Sequence, residues 1–85
     1  MTPYEMTLKL APFMQHINCG QIDENGVLHS DHSYPLHNGD EIRTVGRVWQ
    51  EEKYEEPIPC QQTDFYLNGK HVTRSYLAHY IQENL

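Results

Sequence analysis

Four sets of residues have the types and spacing to support chemistry or recognition. His29, His32 and His37 fall within one polar stretch, with Cys19 and Cys60 far from it and from each other. Neutral imidazole and thiolate are good zinc ligands, and four of them in a tetrahedron would stabilise a small domain. Zinc sites usually bring their ligands in short paired spacings, whereas these histidines lie among turn-forming residues. They read more simply as surface or turn histidines, with a zinc-stabilised domain as a minor alternative.

A cysteine, a histidine and Asp31 are also the ingredients of a nucleophilic hydrolase. Nothing in the sequence resembles a nucleophile elbow, and there is no Gly-x-Gly or Gly-Lys-Ser/Thr phosphate loop. A chain of 85 residues leaves little room for a closed pocket, so the expectation is a non-enzymatic protein without a cofactor.

The third set lies in the run from Asp40 to Gln50. Arg43, Val45, Arg47 and Trp49 share one face of a strand there, and Ile42, Thr44, Gly46 and Val48 share the other. Two arginines and a tryptophan form the kind of stacking-plus-phosphate surface with which small barrels bind single strands, and Lys53, Lys70 and Arg74 would extend it. Glu41 and Glu51 lie on the same face, so cross-strand ion pairs explain the arginines without a ligand. Binding of RNA or single-stranded DNA is therefore the alternative function.

The fourth set carries the leading expectation. Glu51, Glu52, Glu55 and Glu56 place four carboxylates around Tyr54. Such a surface docks on a basic face of another protein, including the face that a nucleic-acid-handling enzyme offers to phosphates. The plainer reading is a solvated loop kept acidic for solubility. Six tyrosines, amphipathic side chains favoured at interfaces, weigh toward a partner surface.

Composition sets the limits around these sites. Twelve acidic residues against 6 basic ones give a formal net charge of −6, which opposes non-specific attachment to nucleic acid or anionic lipid. Leu, Ile, Val and Phe supply only about a fifth of the chain, so the core is thin and self-association into a homodimer would help it. No apolar run approaches the roughly 18 residues of a membrane span, and no signal peptide is evident at the N-terminus. A cytoplasmic protein with reduced thiols, away from membranes, is expected.

The elements that position these residues follow from periodicity and turn chemistry. Thr2-Pro3-Tyr4-Glu5 is a helix start, with a hydroxyl to cap the third N–H and proline where a missing N–H costs nothing. Met6, Leu10, Phe13, Met14 and Ile17 form one helical stripe, interrupted by Pro12. This predicts a kinked helix over about residues 3–19, or two short helices meeting at Ala11, with Gly20 as a left-handed stop. Asn25-Gly26, Asn38-Gly39 and Asn68-Gly69 each predict a two-residue type I′ hairpin turn. They join Gln21–Glu24 to Val27–Ser30, Tyr34–His37 to the run from Asp40, and Asp64–Leu67 to Lys70–Val72. Residues 51–61 read as a loop or edge strand held extended by Pro57 and Pro59. Thr73 caps a last helix whose apolar face holds Leu77, Tyr80 and Ile81, flanked by Tyr76 and Leu85.

The expected fold is one α+β domain spanning residues 1–85. A kinked N-terminal helix precedes an antiparallel sheet of about five short strands, open or curled into a partial barrel, and a C-terminal helix follows. In kind, so compact and acidic a chain resembles the small proteins that phages and mobile elements encode, a likeness of style that transfers no site residue. The expected function is an acidic interaction module, an inhibitor of a host protein, that makes contact through Glu51–Glu56 and Tyr54.

Overall fold

The computed structural model describes residues 1–15, 20–53 and 55–85. Helix α1 spans Pro3–Leu10. Its start is capped as the sequence predicts, the Glu5 N–H donating to Thr2 Oγ1 at 3.2 Å and the Thr2 hydroxyl donating back to the Glu5 carboxylate. Pro12 cannot donate to Leu8, and the chain passes into a 3-10 helix, Ala11–Phe13, so of the two expected forms the structure has the two short helices meeting at Ala11 rather than one kinked helix. Thr44 Oγ1 donates to the Phe13 carbonyl at 2.8 Å and ties this turn to the sheet. Ile17 and Cys19 lie outside the described residues.

Five strands follow: β1 (Gln21–Ile22), β2 (Leu28–Pro35), β3 (Glu41–Lys53), β4 (Glu56–Leu67) and β5 (Lys70–Val72). Each pairs antiparallel with its neighbour in the chain, giving an open sheet in the order β1-β2-β3-β4-β5 rather than a partial barrel. Two of the predicted segments, 27–30 and 34–37, overlap the two ends of a single strand, β2. Of the stretch 51–61, residues 51–53 end β3 and 56–61 begin β4, which among the described residues has no partner on its outer side there, so the edge-strand reading holds for 56–61. The β3–β4 register runs unbroken from Ile42 opposite Leu67 to Lys53 opposite Glu56.

The three Asn-Gly pairs make two different turns. At Asn68-Gly69 both residues have positive φ, 52° and 82°, the type I′ geometry expected of a two-residue hairpin. At the other two sites only the glycine, Gly26 or Gly39, is left-handed. There the N–H of Asp23 meets the carbonyl of Val27 at 2.9 Å and that of Leu36 meets Asp40 at 2.8 Å, so each loop holds three residues with the glycine last. The Asp23 carboxylate, which accepts from the N–H groups of Asn25 and Val27, favours the longer form at the first site. Gly20 is not among the left-handed glycines, so it is not the stop that was expected.

Helix α2 spans Arg74–Asn84, with Thr73 accepting from the Tyr76 N–H. The two helices lie on one face of the sheet, where Leu10, Ile42, Phe65, Leu77, Ala78 and Ile81 form the buried core. Tyr76 and Leu85, expected on the packed face of α2, are instead 58% and 53% exposed, while Ala78 is buried. Arg74 stands at the end of the helix where a cation opposes the dipole. Its guanidinium donates to Thr7 Oγ1 at 2.6 Å, a bond between the two helices that offsets the unfavourable position.

Among the described residues no helix is long and apolar enough to cross a membrane.

Candidate functional site

The acidic segment forms the end of an arm. β2 accompanies β3 only as far as Val48, and β5 accompanies β4 only as far as Phe65. From Trp49 opposite Cys60 to Lys53 opposite Glu56 the sheet is reduced to a two-stranded ribbon. At about 3.4 Å per residue this projects some 15 Å past β2, and it contributes to a longest molecular dimension of 46 Å.

Strand alternation distributes the carboxylates around the ribbon. Glu51 and Glu56 take the face opposite the helices, Glu52 takes the helix-side face, and Glu55 stands at the tip with φ of 65°. Glu52, Glu55 and Glu56 are exposed. Glu51 is held more closely: Trp49 Nε1 donates to its Oε1 at 3.1 Å, and Lys53 Nζ lies 3.9 Å from its Oε2. An exposed pair at that separation contributes little stability, so the local negative charge is only partly offset. Tyr54, the aromatic residue placed at the centre of this site, lies outside the described residues.

The same alternation tests the arginine and tryptophan face. Arg43, Val45, Arg47 and Trp49 do share the face away from the helices. Lys70 and Arg74 do not extend it, because Lys70 pairs with Leu67 on the helix side and Arg74 belongs to the helix layer. The arginines have partners of their own. Arg43 donates through Nε and Nη2 to both oxygens of Asp31, and its guanidinium lies 5.5 Å from the centre of the Tyr66 ring. Arg47 donates to Gln62 Oε1. The ion-pair partner of Arg43 is Asp31 on β2, rather than Glu41 or Glu51. Register also places Glu41, Asp31, Asp64, Glu51 and Glu56 on this face, outnumbering Arg43, Arg47 and Lys53. A surface with this balance repels phosphates more than it attracts them.

The three candidate zinc ligands are not brought together. His29 faces away from the helices and lies 2.7 Å from Asp23 Oδ2, His32 faces the helix side against the Tyr34 ring, and His37 is exposed in the β2–β3 turn. Among the described residues no group of three or more histidine, cysteine, aspartate or glutamate side chains could hold a metal ion. Cys60 is a half-buried free thiol, and Cys19 lies outside the described residues.

One polar cluster was not visible in the sequence. Tyr80 on α2 donates to the Asp40 carboxylate and accepts from Asn38 Nδ2 at 2.9 Å, while Asn68 Nδ2 donates to Asp40 at 2.9 Å and the Glu41 N–H donates to Asn68 Oδ1. Residues far apart in sequence thereby lock two Asn-Gly turns to the last helix. Asn38 and Asn68 could be read only as turn formers, since their second partners depend on the tertiary fold.

These bonds depress carboxyl pKa values. The Tyr80 hydroxyl, then Asn68, holds Asp40 below its ordinary 3.8, Arg43 does the same for Asp31, and His29 does so for Asp23. Asp40 in turn raises the Tyr80 phenol. A carboxyl whose pKa is lower folded than unfolded stabilises the fold above its unfolded value and loses that contribution as pH falls through the folded one. The melting temperature should therefore change little between about pH 7 and 5 and fall below about pH 4, with a shallower acid limb in Asp40→Asn. Thermal melts that stay level to about pH 2 would contradict these assignments.

Comparison of the chain with protein-family models, with curated proteins and with solved structures found no match.

Proposed function

We propose that the protein is a non-enzymatic interaction module that docks the acidic tip of its β3–β4 arm on a basic face of a partner protein. The observation that carries this reading is the placement of Glu51, Glu52, Glu55 and Glu56 on a two-stranded ribbon clear of the helices, with Lys53 as the cation among them. Carboxylates around the whole ribbon can enter a groove and meet cations on both walls, which a flat acidic patch cannot do. A groove of that charge is what proteins offer to phosphates, so occupying it is how such a module would inhibit a nucleic-acid-handling partner. The Arg43–Asp31 ion pair and the surplus of carboxylates on the other candidate face support this reading over direct binding of RNA or single-stranded DNA.

Immobilised protein and the fourfold variant Glu51→Gln, Glu52→Gln, Glu55→Gln, Glu56→Gln should be compared as bait in nuclease-treated lysate. The native protein should retain a partner that is released between about 0.05 M and 0.5 M salt, and the variant should retain much less. Equal retention by both, or retention that nuclease abolishes, would reject the proposal.

A further inference from the structure

β5 covers only Phe65–Leu67 of β4, and no described residue pairs with the rest of that edge. Strand alternation decides which groups the edge exposes. The Asn68 N–H donates to the Glu41 carbonyl at 2.9 Å, toward β3, and the β3–β4 register has no bulge between Leu67 and Glu56. The odd-numbered residues of β4 therefore turn N–H and C=O outward. Pro57 and Pro59 fall at such positions, where the missing N–H breaks no ladder bond and denies a donor to any incoming strand.

Gln61 and Thr63 lack that protection. Each keeps an outward N–H and C=O with no backbone partner among the described residues. The edge is thus blunted along the projecting arm and bare at two positions. Those two residues border a cleft of about 450 Å³ where β5 gives way to α2, lined also by Met14, Phe65, Val72 and Arg74. Among the described residues Arg74 has no carboxylate partner.

We propose that this edge is a second binding site, which takes an extended peptide of a partner protein as an added antiparallel strand running on from the end of β5. Main-chain bonds at Gln61 and Thr63 hold the peptide, and every second side chain enters the cleft over Met14, Phe65 and Val72. An acidic side chain at the leading end of the peptide meets Arg74. Only an extended main chain with free N–H groups satisfies such an edge, so the ligand is a proline-free segment with alternating apolar side chains. The site lies away from the acidic tip and stands or falls independently of it.

The probe is the peptide acetyl-Glu-Thr-Val-Thr-Val-amide, added to the whole protein labelled for amide NMR. Saturable binding should shift the Gln61 and Thr63 amide signals and slow their hydrogen exchange at least about tenfold, with little change at Gln62, whose N–H already faces β3. N-methylation of both valines should weaken binding by about tenfold or more, with the protein unaltered. Gln61→Pro and Thr63→Pro should do the same while keeping the native circular dichroism spectrum, because the fold does not use those N–H groups. No saturable binding at millimolar peptide, or equal binding of the N-methylated peptide, would overturn the proposal. So would self-association that Thr63→Pro abolishes in a protein indifferent to the peptide, which would give the edge to a second copy of the chain.

Discussion

Leu77→Ala should cost the protein about 3–5 kcal/mol and lower its melting temperature by roughly 15–30 °C. Leu77 is 0% exposed at the centre of the layer where α2 meets the sheet, in one cluster with Leu10, Ile42 and Phe65. Truncation removes the transfer energy of three carbons and leaves a void that two short helices cannot close without giving up contacts on the sheet. The loss is large against the total, since a chain of this length has about 4–13 kcal/mol of net stability and its sparse apolar content favours the lower half. Tyr76→Ala, one residue away but 58% exposed, is the control and should move the melting temperature by no more than about 4 °C. A fall below about 5 °C for Leu77→Ala would mean that the core lies elsewhere.

Gly20→Ala should be the second most damaging substitution and the worst glycine-to-alanine change among Gly20, Gly26, Gly39 and Gly69. Its backbone requires no left-handed conformation. The obstacle is space: a Cβ at Gly20 would collide with the His29 carbonyl of β2, and backbone cannot rotate aside as a side chain can. Overpacking of this kind typically costs about 1–3 kcal/mol, with the upper end expected where the obstructing atoms belong to a paired strand. Gly26, Gly39 and Gly69 have positive φ with open space around the Cβ position, so alanine there costs about 1 kcal/mol of backbone strain alone. Chemical denaturation of the four variants should rank Gly20→Ala lowest. A rank order led by a left-handed glycine would show that the close approach of residue 20 to β2 is relaxed in solution.

What could be read from the sequence was local. The Thr2 and Thr73 caps and the break after Leu10 rest on interactions within a few residues, and composition and spacing expose them. The alternation that assigns Arg43, Arg47 and Trp49 to one face is equally local, because it needs only that the segment be a strand. Register is where local information ends. Three identical Asn-Gly pairs suggested three identical turns, yet the Asp23 side chain helps the first form a three-residue loop, and only the third closes with two. The charge-dense stretch 51–61 could be read as a loop or an edge strand, because glutamate and proline are poor strand formers. The unbroken pairing of 51–53 and 56–61, with both prolines at outward edge positions, makes 56–61 an edge. Asp31 could not be distinguished from Glu41 or Glu51 as the partner of Arg43 until the β2–β3 register placed Asp31 opposite Val45, diagonal to the arginine. The histidines failed as a site for the same reason, since alternation along β2 sends His29 and His32 to opposite faces.

The acidic tip is best tested by the rate at which the protein meets the partner it retains. At about 0.05 M salt, replacing Glu51, Glu52, Glu55 and Glu56 with glutamine should slow association by about tenfold or more. Dissociation should change far less, and the native rate should fall toward that of the variant as salt rises. Association rates that match at low salt, and respond equally to added salt, would contradict docking through the arm.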